Sequence, residues 1–179
     1  MAATFLNGIT SVGTDLFITD FSAKKIYRMN TTNNAFNVFV TGLTKSPNGI
    51  IYDADDNRLV MVNWGTSAPI IAVNLADSTY ATLVTTSLGN CDGIAMNCSG
   101  QFYVSSWSPT RISRFENDFI ASPVDMGVTG LSSPADIMYN TTEDTLAIPN
   151  SGNNTVKFVT YSDCLGTGIS EIEKKEFEL

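Results

Sequence analysis

The sequence predicts an all-β fold, a β-propeller of four-stranded antiparallel blades, on three observations. A short phrase recurs four times, as Leu6-Asn7-Gly8-Ile9, Pro47-Asn48-Gly49-Ile50, Cys91-Asp92-Gly93-Ile94 and Pro134-Ala135-Asp136-Ile137. The steps between its isoleucines are 41, 44 and 43 residues. Further apolar runs follow each phrase at similar offsets; they are short and β-branched or aromatic, with no sustained helical period. A sandwich also has many short strands, but it has no reason to repeat one phrase. Four short strands in about 40 residues is the unit of a propeller blade.

The elements follow in order. The phrase opens the innermost strand, where Gly8, Gly49 and Gly93 leave room for blades to crowd together. The second strand is Leu16-Phe17-Ile18, Leu59–Val62, Phe102-Tyr103-Val104 and Leu146-Ala147-Ile148. Polar turns precede it, such as Ala54-Asp55-Asp56-Asn57 and Thr141-Thr142-Glu143-Asp144. The third strand is Ile26–Met29, Ile70–Val73, Ile112–Phe115 and Val156–Val159. A fourth run closes three repeats: Phe39–Leu43, Leu83–Leu88 and Gly127–Leu131. The blades span about 6–46, 47–90, 91–133 and 134–163, and 164–179 reads as a linker or tail, or as a terminal strand.

The fourth repeat shows no outer run of its own. The first six residues stand where such a strand would end, and pairing them with the last blade would remove two sheet edges. The chain is then either a closed four-bladed ring or part of a larger ring of the six-bladed type. An incomplete ring would expose flat apolar faces and favour a homo-oligomer.

Composition narrows the chemistry. The chain has 179 residues, 43% hydrophobic and 16% charged, enough for one ordinary core. A net charge of −8 argues against nucleic-acid or anionic-membrane partners, which need basic patches. There is no histidine, which removes histidine-based triads, general bases and imidazole metal sites. The three cysteines allow at most one internal disulfide, and no CxxC pair points to zinc. Cys91 and Cys98 bracket one strand and lie too far apart to pair, so the cysteines read as small buried residues. No apolar run reaches membrane-spanning length, and Met1–Phe5 lacks the features of a signal peptide, as a mature secreted chain also would.

Two aromatic positions invite a binding role. Phe21, Trp64 and Trp107 each follow the second strand. They read either as large side chains packed at blade junctions or, for Trp64 and Trp107, as a sugar-stacking surface.

Pro47-Asn48-Gly49-Ile50, the strand after it, and Asp92-Gly93-Ile94 one blade later resemble the regucalcin/gluconolactonase superfamily of six-bladed propellers. Pro134-Ala135-Asp136-Ile137 with Leu146-Ala147-Ile148-Pro149-Asn150 resembles its bacterial members and the related NHL-type propellers. The resemblance covers roughly residues 5–160. Residues 162–179 resemble the lead-in to sorting domains of type IX secretion, which implies a secreted bacterial protein. In catalytic members one divalent cation sits on the axis, held in part by an Asn-Gly asparagine and an Asp-Gly aspartate. That implies Asn48 and Asp92 as ligands for calcium or a similar hard cation, with Asn7 and Asp136 at the matching places of the first and last repeats. The cation would polarise a lactone carbonyl, and Asp92 would accept the proton of an attacking water as the catalytic base. The Gly-Glu phrase that supplies the superfamily's glutamate ligand is absent. The expected function is therefore an extracellular binding or structural module for a small molecule or carbohydrate. The alternative is a divalent-metal-dependent, lactonase-like hydrolase.

Overall fold

The computed structural model describes residues 3–162, Cys164 and the strand Lys174–Glu178. These residues contain sixteen strands in four antiparallel sheets of four. The first sheet holds β1 (Leu6–Val12), β2 (Asp15–Asp20), β3 (Lys25–Asn30) and β4 (Phe36–Val40). The second holds β5 (Ser46–Asp53), β6 (Arg58–Trp64), β7 (Pro69–Asn74) and β8 (Tyr80–Thr85). The third holds β9 (Gly89–Met96), β10 (Phe102–Ser108), β11 (Thr110–Phe115) and β12 (Val124–Asp125). The fourth holds β13 (Met138–Asn140), β14 (Thr145–Asn150), β15 (Thr155–Thr160) and β16 (Lys174–Glu178). Spatial order equals sequence order in every sheet, so each repeat is one blade. The chain divides into two compact units, residues 1–91 and 92–179.

Hairpin turns explain the short polar segments. The turns before β6 and β14 end at Asn57 (φ 49°) and Asp144 (φ 52°), both left-handed. Asn and Asp tolerate that region better than most residues, which accounts for their place there.

Each blade has two apolar faces. In the first unit Phe17 and Ile26 form a forward face of blade one. They pack with Ile50, Leu59, Met61, Ile71 and Val73, the rear face of blade two. In the second unit Ala95, Tyr103 and Ile112 of blade three pack with Ile137, Tyr139, Leu146, Ile148 and Val159 of blade four. The residues come from alternate positions of their strands, as the two-residue period requires.

The inner strands meet at the glycines. A Cβ on Gly8 would lie 2.5 Å from Asn48 O, and one on Gly93 would lie 2.5 Å from Ile137 N. Those are backbone atoms and cannot swing aside. A hydroxyl closes each contact. Gly8 N–H donates to Thr19 Oγ1 at 2.8 Å, and that hydroxyl donates to Asn48 O at 2.8 Å. In the second unit Gly93 N–H donates to Ser105 Oγ at 2.8 Å, and Ser105 Oγ donates to Ala135 O at 2.8 Å. One side chain thus satisfies two buried backbone groups on different blades. The equivalent positions in blades two and four are Val62 and Pro149.

Three expectations are corrected. The outer strands β4, β8 and β12 each begin three residues before the apolar run assigned to them, at Phe36, Tyr80 and Val124. These strands start exposed, so the apolar run marks the chain's return to the core rather than the strand's centre. In blade three the run itself follows the strand, because Gly127 and Gly130 take φ of 62° and 72°. The outer strand of blade four is β16, which pairs with β15 from Val159↔Lys174 to Thr155↔Glu178, so that edge is taken by the tail rather than by Ala3–Leu6. The remaining residues of the tail, 165–173 and 179, lie outside the described residues.

The cysteines are the third correction. Cys98 and Cys164 form a disulfide with Cα atoms 5.4 Å apart, and Cys91 is buried outside that disulfide. The bond ties the turn after β9 to the segment after β15, across 66 residues of chain. Cys164 N–H also donates to buried Asp144 at 2.9 Å, and Tyr139 OH donates to the same carboxylate.

Two outcomes are expected from denaturation. Thr19→Val and Ser105→Ala each strand two backbone groups, and each lowers the unfolding free energy by about 1–3 kcal/mol per unpaired group. Thr19→Ser keeps the hydroxyl and retains most of the stability in the same urea titration. Reducing Cys98–Cys164 releases a long loop in the unfolded chain and lowers stability by about 2–4 kcal/mol, read as a drop in Tm with dithiol.

Candidate functional site

The candidate residues stand at the starts of the inner strands, where the ladder is interrupted. Pairing skips from Leu6 to Ile9 in β1 and from Pro47 to Ile50 in β5. Such bulges release one or two residues from strand alternation and redirect their side chains. Asn7 and Asn48 occupy the released positions.

The structure brings Asn7 and Asn48 together. The exposed Asn7 donates through Nδ2 to Asn48 Oδ1. Asn48 is 2% exposed, and its Nδ2 donates to Cys91 O at 3.2 Å. An amide has an acceptor end and a donor end, and Asn48 uses both. It links the opening residues of β1, β5 and β9.

Asp92 and Asp136 belong to the other unit. Asp92 is half-buried on β9. Asp136 stands beside that strand, its Cα 2.7 Å from the point a Gly93 Cβ would occupy. Ala135 takes the place of Asn48 in this phrase and contributes only its carbonyl, to Ser105. The Asp136 residue is exposed, yet the protein packed beneath its carboxyl disfavours the charge and raises its pKa above 3.8. Its bond from Ile137 N–H, at 3.1 Å, partly opposes that rise.

Within the first unit, Asn7 and Asn48 bring two side-chain amides together. Calcium takes six to eight oxygens. Asn48 Oδ1 already accepts from the Asn7 amide. Among the described residues no three Cys, Asp or Glu side chains cluster together.

The two tryptophans sit at blade junctions, one in each unit. Half-buried Trp64 makes an edge contact with Phe21 of the preceding blade, with centroids 6.1 Å apart. Phe21 in turn meets Phe5 at 5.4 Å. Half-buried Trp107 donates through Nε1 to Pro134 O at 3.0 Å.

Sequence reasoning missed the residue just before each of these aromatics. At or near its end the second strand carries a buried polar side chain in every blade: Asp20, Asn63, Ser106 and Asn150. Each ties a loop to the strand end. Asp20 accepts from Thr4 N, Phe5 N and Ala23 N at 2.8, 3.1 and 2.9 Å. Burial alone would raise its pKa, but those bonds and one from the Thr4 hydroxyl hold it down at about 2. Asn63 Nδ2 donates to Pro69 O at 3.0 Å, and Ser106 Oγ to Pro109 O at 2.7 Å. Asn150 Oδ1 accepts from Ser132 N at 3.0 Å. The signal was a polar residue before the aromatic in Asp20-Phe21, Asn63-Trp64 and Ser106-Trp107.

No protein-family model and no curated protein matches the chain. Solved structures do. A chain of the nidogen/laminin complex aligns with a TM-score of 0.83 at 18% identity, covering 98% of this chain and 65% of that one. A streptogramin B lyase aligns at 0.74 and 15%, covering 100% and 56%. A candidate gluconolactonase aligns at 0.75 and 10%, covering 96% and 63%. The fold is a β-propeller. The chain spans less than two thirds of each of these structures, and likeness at such identities carries fold rather than activity.

Because its pKa is raised on folding, Asp136 favours the fold below its unfolded value near 3.8 and opposes it as pH rises through the folded value. Asp136→Asn is therefore expected to melt higher than the parent at neutral pH. The difference should disappear below pH 3.8, and a variant equal to or weaker than the parent at neutral pH would contradict this account.

Proposed function

We propose that the chain is an extracellular propeller that serves as a binding or structural module, offering its loops to a small molecule, a carbohydrate or another protein. The observation that carries this reading is the engagement of Asn48. A residue expected to give its oxygen to a cation instead receives Asn7 and holds the start of β9. The similarity to a chain of the nidogen/laminin complex supports a module of this kind. The Cys98–Cys164 disulfide supports an oxidising, extracellular compartment, where such bonds persist. Within the propellers, the phrases at Pro47–Ile50 and Asp92–Ile94 and the similarity to the candidate gluconolactonase support placement near the regucalcin/gluconolactonase type.

Titration with calcium, zinc and manganese tests the reading. The expected result is no binding heat from any of them, with Asn48→Ala unfolding about 1–3 kcal/mol more easily because Asn7 and the Cys91 carbonyl lose their partner. Saturable metal binding that Asp92→Ala abolishes would overturn the reading in favour of the lactonase-like hydrolase.

A further inference from the structure

Blade two lacks a large side chain that every other blade carries. On the third strand, the residue opposite Phe17 is Arg28, the one opposite Tyr103 is Arg114, and the one opposite Ala147 is Phe158. The same place in blade two, opposite Val60, holds Ala72. Its neighbour on the outer strand is small as well, Ala81 where blade one has Asn37. In blade one the Arg28 side chain lies over the Phe17 ring and reaches Asp15. In blade two the same space is a cleft of about 390 Å³. Its walls come from residues 56–81, wholly within the first unit. It stands at the far end of the blade from Asn48 and Trp64, since Arg58 pairs with Asp53 where β5 ends. That volume is at the small end of the range for ligand pockets.

The floor of the cleft is apolar and its rim is polar and fixed. Ala72 and Ala81 share a sheet face with Arg58 and Asn74, because cross-strand partners and alternate residues point the same way. Arg58 is held through Nε by Asp53 at 2.9 Å and through Nη2 by Asp56 at 2.9 Å. Asn57 Oδ1 accepts from Tyr52 OH at 3.1 Å, and Asn74 Oδ1 accepts from Ala76 N–H at 2.8 Å. Each amide is thus fixed through its oxygen, and among the described residues neither Nδ2 has a partner. The Asp56 side chain is 60% exposed and keeps acceptor capacity beyond Arg58.

We propose that this cleft binds a saccharide, one sugar ring lying against the two alanines with its hydroxyls on Asp56, Asn57, Arg58 and Asn74. The proposal rests on the binding-module reading and names the ligand class and its place. The charges select that class. Arg58 stands between two carboxylates, so an anion is repelled by Asp56 and a cation by the guanidinium. A neutral ligand meets neither penalty. An apolar one would cover the Asn57 and Asn74 amides and leave their donors unpaired. Hydroxyls donate and accept at once, so they suit amide donors set beside a carboxylate acceptor. The C–H face of a sugar ring suits the alanine floor.

Amide NMR of the whole chain, titrated with the methyl glycosides of glucose, galactose and mannose, tests the proposal. At least one glycoside is expected to give saturable shifts at Asn57, Arg58, Ala72, Asn74 and Ala81, with Asn48 and Asp92 unmoved. Ala72→Phe puts back the side chain that blade four carries at this place and is expected to abolish those shifts. Ala81→Gln fills the other half of the floor and is expected to do the same, so the test stands even where one variant folds poorly; circular dichroism checks both. The absence of saturable shifts with all three glycosides would overturn the proposal. Binding that survives both substitutions in folded protein would overturn it too, because the sugar would then sit elsewhere on a module that still binds. Metal binding abolished by Asp92→Ala is a separate result: it sinks the module reading, whereas the two plugging variants decide the cleft.

Discussion

The structure depends on the approach of one inner strand to the next. At Gly8 and Gly93 the backbones come so close that no Cβ fits. A ladder cannot form between them, because neighbouring blades face each other rather than pairing edge to edge. The amide of the glycine and the carbonyl of the next blade would therefore both be buried without partners, at a cost comparable to a lost hydrogen bond for each. Thr19 and Ser105 answer both demands with one hydroxyl, which accepts on one side and donates on the other. A hydroxyl is the smallest side chain that can do so. The apolar packing of Phe17 and Ile26 on blade two, and of Tyr103 and Ile112 on blade four, is built outward from these points.

The same constraint shapes the candidate site. The bulges that bring Gly8 close to blade two also release Asn7 and Asn48 from the strand. Once released, the two amides bond to each other and to the start of β9. Residues that the family resemblance marks as ligands, Asn7 and Asn48, thus serve the junction. The buried polar series Asp20, Asn63, Ser106 and Asn150 does similar work at the strand ends, fixing the loops on which a propeller's recognition surface would depend.

The blade count and the four-stranded unit were legible in the sequence, because the phrase repeats and short apolar runs recur at similar offsets after it. The outer strands were misplaced because β4, β8 and β12 start in solvent, where hydrophobicity carries no strand signal. The tail stayed open between a linker and a terminal strand because Lys174-Lys175-Glu176-Phe177-Glu178 has the charge content of a linker, and its pairing with β15 is what makes it a strand. The Cys98–Cys164 bond was not legible because its partners are 66 residues apart, and sequence spacing says nothing about proximity at that range. The engagement of Asn48 was hidden for a related reason: its partners lie one blade away on either side.

The hydroxyl relay gives the two junctions a built-in reporter. Most amide hydrogens in a sheet are held by carbonyls of the neighbouring strand, so their exchange with solvent follows the opening of a single blade. The amides of Gly8 and Gly93 are held by a side chain that is itself anchored to the following blade. Their exchange requires the two blades to part or the hydroxyl to turn away. Two single protons, one in each unit, thus record separately how often each pair of blades comes open.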